Sequence, residues 1–306
     1  MRVPTALLAV ALIAGAPSVH AQTDGRAPRV LQLPASTRAM ALGDAYMMTS
    51  GHADAVFYHP ALVRGAGGFG LDVQRWSSEA SAAAVSAAVD WFGGSVAVGL
   101  QTLQYGAPLG AVQAYPSGHD FLFDTGPRPT SEGVASLAYA RAIGGIGVGV
   151  TGKFVEQRIA GERDASAAVD VGASSEVGPV TLGLSLQNLG PDMEFDDGPA
   201  PLPRRVTLGA GAYGRPLGPL DVGFTGAVTY DWDEVVPAAG VELGYWPIQG
   251  RTFVARIGAR RVAEGDASPF TFGAAFWGDD LVLEWAYQPF GGELNEATHR
   301  VGIRWR

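Results

Sequence analysis

The sequence predicts an all-β protein, a transmembrane β-barrel of about 14 antiparallel strands with an N-terminal plug segment. Three features predict it: long alternating segments, charges opposite the apolar faces, and connections of alternating length. From Leu220 to Trp232, one face carries Leu, Val, Phe, Gly, Val, Tyr and Trp, and the other carries Asp, Gly, Thr, Ala, Thr and Asp. Soluble strands average about 5–6 residues, whereas a tilted membrane strand needs roughly 9–11.

The first 21 residues are predicted to be a secretory signal. Arg2 gives a basic start, "ALLAVALIAGA" is an apolar core of 11 residues, and "VHA" is a small-residue cleavage site. The apolar core is shorter than the roughly 20 residues that a membrane helix needs. We therefore divide the chain into a signal (1–21), an N-terminal plug segment (22–66) and an outer-membrane barrel (67–306).

Composition narrows the class further. The chain has no cysteine, and removal of Arg2 with the signal leaves 20 basic and 30 acidic residues, a net charge of −10. An acidic chain is a poor partner for nucleic acid, because phosphate neutralisation needs a basic surface. The 43 glycines are about twice the usual share and favour tightly curved strands. Beyond the signal no apolar run reaches about 18 residues, so a membrane chain must be a closed barrel.

The strands follow one another with turns of alternating length. We place them at 67–76, 80–90, 94–106, 131–142, 145–158, 163–176, 179–189, 203–215, 219–232, 236–246, 250–262, 267–277, 280–290 and 295–306. Longer connections are expected at 107–130, 190–202, 231–235, 261–267 and 290–296, with short turns such as "WFGG" and "WGDD" between them. Long loops on one side and short turns on the other are typical of outer-membrane barrels. The first hairpin, at Ser77–Glu79, is short although it belongs to the long-loop side.

Charged and aromatic residues distinguish the two faces. A cation on the lipid face near mid-membrane costs about 2–4 kcal/mol, and nine strand charges lie opposite the apolar faces: Lys153, Asp170, Arg205, Asp221, Glu242, Arg256, Glu284, Arg300 and Arg304. Six tryptophans lie near strand ends, where barrels carry aromatic girdles: Trp76, Trp91, Trp232, Trp246, Trp277 and Trp305. A soluble sandwich with core aromatics near its ends remains the alternative.

Ser36 to Val63, "STRAMALGDAYMMTSGHADAVFYHPALV", lacks strand alternation. Irregular backbone survives at membrane depth only inside protein or a wet cavity, so we expect residues 22–65 to fold into the barrel lumen as a plug. We hypothesise that Asp44, His52, Asp54 and His59 pair there with Arg205, Arg256, Arg300 or Arg304.

Three motifs resemble the PorV/PorQ family of outer-membrane proteins, which are similar to FadL-type barrels. They are the "TRAMALGDAYMMTSGHADAVFYHPALV" segment, "LQNLGPDMEFDDGPAPLPRRVTLGAG" and "LEWAYQPFGGELNEATHRVGIRW". The first keeps these family positions: Arg38, Ala39, Gly43, Ala45, Tyr46, Asp54, Pro60, Ala61 and Leu62. It departs at Tyr58 and His59, where Trp-Asn is usual.

The resemblance implies a barrel of fourteen strands with an N-terminal plug. Arg38, Tyr46 and Tyr58 are further candidate ligand or plug contacts. It implies a non-enzymatic component of type IX protein secretion, with a translocon and exported cargo as partners. FadL-type relatives instead pass hydrophobic small molecules, and this passive transport is the alternative function. Either role places the chain in outer-membrane lipid.

Other chemistry is weakly indicated. Asp44, His52, Asp54 and His59 have no compact metal-ligand spacing, and we expect neither a metal nor another cofactor. Ser117, His119 and Asp120 lie too close together in sequence for a nucleophilic triad, and "GGIGVGV" continues into a strand, not a helix, so no enzyme is expected. Calcium remains open for one external acidic loop, which carries Asp192, Glu194, Asp196 and Asp197.

Overall fold

Fourteen antiparallel strands close into one barrel, as the alternation predicts. The computed structural model describes residues 28–47, 51–75, 80–105, 130–159, 162–196, 198–231, 234–262, 268–289 and 297–305. In chain order the strands are β1 (Gly68–Arg75), β2 (Ala80–Trp91), β3 (Gly94–Tyr105), β4 (Ser131–Ile143), β5 (Ile146–Ile159), β6 (Glu162–Val177), β7 (Val180–Leu189), β8 (Met193–Phe195), β9 (Gly198–Ala200), β10 (Arg205–Leu217), β11 (Leu220–Asp231), β12 (Glu234–Ile248), β13 (Arg251–Arg260), β14 (Phe270–Trp277), β15 (Leu281–Pro289) and β16 (Ala297–Trp305). β1 pairs with β16 and closes the barrel.

The apolar faces point outward. On β5, Ile146, Val150 and Phe154 are exposed, whereas Thr151 and Lys153 between them are buried. Successive strand residues face opposite sides, so the lumen receives the polar set. A sandwich would bury its apolar faces between two sheets. The single closed sheet with an apolar exterior excludes that alternative.

The predicted inward placement of the strand charges is confirmed. The outward face nevertheless carries some charges that the prediction did not include. Seven of the nine strand charges are buried inside: Lys153, Asp170, Glu242, Arg256, Glu284, Arg300 and Arg304. Arg205 and Asp221 are half-buried on the same face of their strands. Three charges that the sequence reasoning did not single out, Glu156, Arg158 and Arg163, lie on the outward face near the long-connection end.

One end of the barrel, here the tight-turn end, is closed by short hairpins. Phe92 and Gly93 between β2 and β3 both have positive φ, 51° and 69°, a conformation that matches the right-handed twist of the flanking strands. Trp91, Trp246 and Trp305 are exposed at this end and form part of the expected girdle.

Trp277 lies at the same end but not in that girdle. Its Cα partner is the buried Val282, and its ring lies 5.6 Å from the Arg38 guanidinium inside the barrel. The expectation that Trp277 faces lipid is therefore wrong, because its strand position falls on the inward parity. Trp76 and Trp232 lie outside the described residues.

The opposite end, the long-connection end, carries the longer loops. Most of the expected connection at 107–130 lies outside the described residues, as does the first hairpin at 76–79. The connection at 190–202 contains the β8–β9 hairpin, which the sequence reasoning missed. The irregular N-terminal part contains the helix α1 (Thr37–Ala41) and short 3-10 turns at Arg29–Leu31, Ala53–Phe57 and Pro60–Val63. Among the described residues, no helix has the length and apolar character to cross a membrane.

Candidate functional site

Residues 28–47 and 51–67, here called the luminal segment, run through the barrel from end to end. Near the long-connection end, the Val30 N–H donates to Glu132 Oε2 at 2.7 Å, and Arg205 donates to the Leu31 carbonyl at 3.1 Å. Near the tight-turn end, Arg64 pairs with Glu176 at 2.8 Å. The segment then continues into β1. Because it runs inside the lumen over this length, the barrel wall encloses its backbone polar groups.

Glycines in the wall make room for the luminal segment. A Cβ added at Gly149 would lie 2.4 Å from the Pro60 carbonyl carbon, and one at Gly240 would lie 2.8 Å from the Leu42 Cβ. Nine strands each contribute such a position, with clashes of 2.0 to 2.9 Å against the segment: Gly99, Gly149, Gly172, Gly183, Gly209, Gly240, Gly258, Gly273 and Gly302. We call these the luminal glycines. The abundance of glycine, predicted to serve curvature, also serves this close packing.

A buried lattice of charges attaches the segment to one side of the wall. It contains four cations and four anions: Arg38, Arg256, Arg300, Arg304, Asp54, Asp72, Glu242 and Glu284. Equal numbers of opposite charges offset the desolvation that each would suffer alone. We call this set the charge lattice.

Arg304 occupies the centre of the lattice. Its guanidinium lies 3.2 Å from Asp54 of the luminal segment, 3.2 Å from Asp72 of β1 and 2.6 Å from Glu284 of β15. The hypothesised pairing of Asp54 with a luminal arginine is therefore present. Asp72, which also accepts hydrogen bonds from the Thr37 N–H and hydroxyl, was not among the residues that the sequence singled out.

Arg38 and Arg256 extend the lattice around the wall. Arg38 pairs with Glu242 at 2.9 Å and stands 4.3 Å from the Tyr213 ring centre. Arg256 pairs with Glu242 at 2.6 Å and with Glu284 at 2.8 Å. Arg256 was expected to contact the N-terminal segment, but its ion pairs are with wall residues.

Two tyrosines stiffen the segment beside the lattice. Tyr46 donates to Asp54 at 2.7 Å, and the Tyr58 hydroxyl accepts from the Ala35 and Ser36 N–H groups at 2.7 and 2.9 Å. The rings stack with centroids 4.5 Å apart. Both residues were expected to be plug or ligand contacts, and the structure places them in contacts within the segment.

The remaining candidate acids and histidines are dispersed. His52 Nε2 lies 3.1 Å from Arg38, an arginine of the luminal segment and not one of the four wall arginines expected as its partner. His59 is buried between Gly172 and Gly183. Asp44 adopts a positive φ of 65°. In the part of the chain that the structure describes, no three His or acidic side chains group as a metal site.

Arg205 and Arg300 hold the segment mainly through its carbonyls. Arg300 donates to the Pro34 carbonyl at 2.6 Å and to the Ala35 carbonyl, and it lies 3.9 Å from Asp72. Arg205 pairs with Asp231 of the wall at 2.7 Å. The expected pairs of these two arginines with acids of the segment are replaced by carbonyl contacts.

Two cavities flank the luminal segment. The outer cavity, of about 570 Å³, opens at the long-connection end. Its charged lining comprises Arg29, Asp44, Arg205, Asp231, Glu234, Arg260 and Arg261. The inner cavity, of about 240 Å³, lies at the tight-turn end, between the segment and a wall that includes Trp277, Glu284 and Arg304. The segment and the luminal glycines lie between the two cavities.

Apolar side chains pack together near the long-connection end. Val30 and Leu31 of the luminal segment pack with Leu103 of the wall and with Met193 and Leu202 of the 190–204 connection. We call this the outer apolar cluster. Its side chains are buried between the segment, the wall and the connection. A second apolar cluster, which includes Met47, Phe57 and Leu62, packs the segment against the wall elsewhere in the lumen.

The acidic loop binds its own barrel. Asp192 lies 3.4 Å from Arg204, and the Glu194 and Asp196 N–H groups donate to Asp164 and Glu162 at 2.6 and 3.1 Å. Asp197 lies outside the described residues. These contacts fix the β8–β9 hairpin over β6, and they give the calcium hypothesis no support.

No family model matches the sequence, and no curated protein matches it either. The fold is similar to that of the Pseudomonas putida toluene transporter TodX, with a TM-score of 0.55 and 12% identity over 87% of this chain and 96% of TodX. It is also similar to that of the Ralstonia pickettii toluene transporter TbuX, with a TM-score of 0.50 and 11% identity over 88% of this chain and 97% of TbuX. At such identities the likeness shows the fold alone, a closed antiparallel β-barrel of fourteen strands.

Proposed function

We propose that this protein is a passive outer-membrane transporter of hydrophobic small molecules, with the luminal segment as its plug. The solved barrels with similar folds are named as toluene transporters, which supports this role over secretion. It is a non-enzymatic role that needs no cofactor. The predicted signal sequence and the apolar outer wall agree with a place in the outer membrane.

The observation that carries the proposal is the occupied lumen between two cavities. If each luminal glycine carried a Cβ, that atom would lie only 2.0 to 2.9 Å from the nearest atom of the segment. Such packing is as tight as a protein core, and among the described residues it leaves no wide aqueous pore of the porin kind. A solute that enters the outer cavity therefore requires the plug to shift before it can leave.

The apolar part of the outer cavity supports this solute class. Leu33, Val236 and Val262 line the cavity beside its charged groups, and apolar pockets gain affinity from the area that a solute removes from water. A small aromatic or aliphatic molecule meets this surface favourably, whereas a sugar or an ion loses its hydration there.

A type IX secretion role remains the second candidate, because the three sequence motifs resemble the PorV/PorQ family. In that role the translocon and cargo would contact the long connections at 107–130 and 190–202. The contacts of the acidic loop with β6 hold the second connection against the barrel, which favours a rigid docking edge as the form of such a surface.

Uptake by whole cells tests the transport proposal. We expect cells that carry the barrel to take up labelled toluene several times faster at first contact than cells that lack it. Planar bilayers with the purified barrel should show no steady ionic conductance, because the plug fills the lumen.

Equal toluene uptake in both strains would contradict transport, and a large steady conductance would indicate an open porin instead. If, in addition, cargo failed to reach the surface in the deletion strain and a translocon co-purified with the barrel, the secretion role would replace the transport role.

A further inference from the structure

A small charged cluster stands on the outward face of the barrel. Glu156 of β5 pairs with Arg158 at 2.9 Å and also with Arg163 of β6. All three side chains belong to the lipid-facing set of their strands, and both arginines are more than half exposed. Two cations share one carboxylate, so the cluster keeps an excess of one positive charge.

The cluster lies where the apolar run of β5 stops. The outward residues from Ile146 to Phe154 carry no charge, and Glu156 and Arg158 follow them toward the long-connection end. That apolar run spans nine residues, close to the roughly 9–11 that a tilted strand needs to cross the hydrocarbon. The arginines therefore stand at headgroup level, where a lipid-facing cation costs only about 0–1 kcal/mol.

An outward groove begins directly below these charges. Its volume is about 390 Å³, and its lining includes Leu100 of β3, Ala135 of β4 and Phe154 of β5. Gly133 forms part of the floor, because a Cβ there would meet nothing closer than the Gln101 carbonyl at 3.9 Å. Glu156 and Arg158 line the upper part of the same groove. Apolar walls thus continue into a cationic rim.

We propose that this groove binds a phosphorylated, acylated lipid of the outer leaflet. An acyl chain lies along Leu100, Ala135 and Phe154, and the phosphate sits on Arg158 and Arg163. The long connections mark this end of the barrel as the outer one. Arginine is the side chain best suited to phosphate, because its planar fork donates two parallel hydrogen bonds.

Charge complementarity supports this occupant. One phosphate charge balances the single excess cation of the cluster, and Glu156 holds both guanidinium groups at the rim before the lipid arrives. Anionic lipids attract basic side chains at membrane surfaces. A neutral lipid would fill the groove but leave the cationic rim without a counterion, and a second copy of this chain would place the same cations against each other.

Native mass spectrometry of the barrel released from detergent micelles tests the proposal. The probes are diphosphorylated lipid A, the same lipid after removal of its phosphates, and inorganic phosphate. We expect the barrel to retain one phosphorylated lipid A, to retain at least fivefold less of the dephosphorylated form, and to retain no inorganic phosphate. Barrel folding is verified separately by heat-modifiable gel mobility.

Two pairs of variants locate the site. Arg158→Gln with Arg163→Gln should lower lipid A retention at least fivefold, whereas Arg251→Gln, an exposed arginine that pairs with Asp279 at the tight-turn end, should leave it unchanged. Gly133→Leu should lower retention by filling the groove. Gly152→Leu is its control, because Gly152 faces outward with nothing within 4 Å of its Cβ position.

Several results would overturn the proposal. Unchanged lipid A retention in both test variants would do so, as would equal retention of phosphorylated and dephosphorylated lipid. Retention of inorganic phosphate alone would indicate a free-anion site, and a dimer that is lost on Gly133→Leu would indicate a second copy of the chain in the groove.

Discussion

At the residue scale, Arg304 and Arg38 decide how the luminal segment is held. Each connects the segment to the wall through carboxylates that are themselves buried. Buried ion pairs add little net stability, but removal of one partner leaves an uncompensated charge. The charge lattice therefore specifies where the segment sits more than it stabilises the barrel as a whole.

Replacement of Arg38 by Met should lower the free energy that holds the luminal segment in the lumen by roughly 3–5 kcal/mol, because Glu242 loses a buried partner. Arg64→Met is the matched control from the same segment. Arg64 pairs with Glu176 in an exposed position, where an ion pair contributes about 0–1 kcal/mol. The measurement is protease cleavage of residues 28–67 in the folded barrel, followed against denaturant concentration. Equal protection in the two variants would show that the lattice does not hold the segment.

Residue-scale contacts were the hardest part to foresee. The sequence placed Glu242, Glu284, Arg300 and Arg304 on the inner face, because alternation alone decides the face. It did not pair Asp72 with Arg304, because that contact depends on β1 meeting β16 with Asp72 opposite Gly302. No local pattern encodes a partner about 230 residues away. His59 was proposed to pair with a luminal arginine, and it instead lies buried against Gly172 and Gly183.

At the scale of elements, the luminal glycines allow the strands to pack closely against the luminal segment. β5 shows both uses of glycine. A Cβ added at Gly149 would lie 2.4 Å from the Pro60 carbonyl carbon, whereas Gly152 faces outward with free space around its Cβ position. Since backbone atoms cannot rotate away as a side chain can, Gly149 tolerates no larger residue without movement of the segment.

Gly149→Val should displace the segment and open a leak, whereas Gly152→Val should do neither. We expect the first variant to show ionic conductance in planar bilayers and faster protease cleavage of residues 28–67. The second variant should behave like the parent barrel, since valine is a good strand former on a lipid-facing surface. A Gly149→Val barrel that stays closed and protected would contradict the tight packing described here.

Strand positions were largely predictable, and connections less so. The predicted and observed strand bounds agree within about three residues, because the period of two is unbroken where one face meets lipid. The β8–β9 hairpin was not predicted, because a strand of three residues is too short to show a pattern of alternating polar and apolar residues. The orientation of Trp277 was predicted wrongly, because the distance of a residue from a strand end does not indicate which face of the sheet its ring occupies.

At the scale of the whole molecule, the barrel and its luminal segment form one packed unit. The wall supplies glycines around the lumen and balanced charges on one side, and the segment fills the space between the outer and inner cavities. The fold class followed from the sequence, because an apolar exterior around ionic groups has few solutions in a membrane. The solute of the proposed transport did not follow from the sequence, because it depends on cavities that form only when distant strands meet.

A reversible cross-link between plug and wall is the most direct test of transport with a movable plug. The chain has no cysteine, and a Cβ at residue 302 would lie 3.1 Å from the Thr37 Cβ, close to the roughly 3.5–4.5 Å of a disulfide. Thr37→Cys with Gly302→Cys should therefore lock α1 to β16 on oxidation.

We predict that the oxidised double variant takes up labelled toluene at the rate of cells without the barrel, and that reduction restores uptake. The reduced form of the same variant is the control, because it carries both substitutions without the bond. Toluene uptake that is equal in the oxidised and reduced forms, with the cross-link verified by mass spectrometry, would contradict the account.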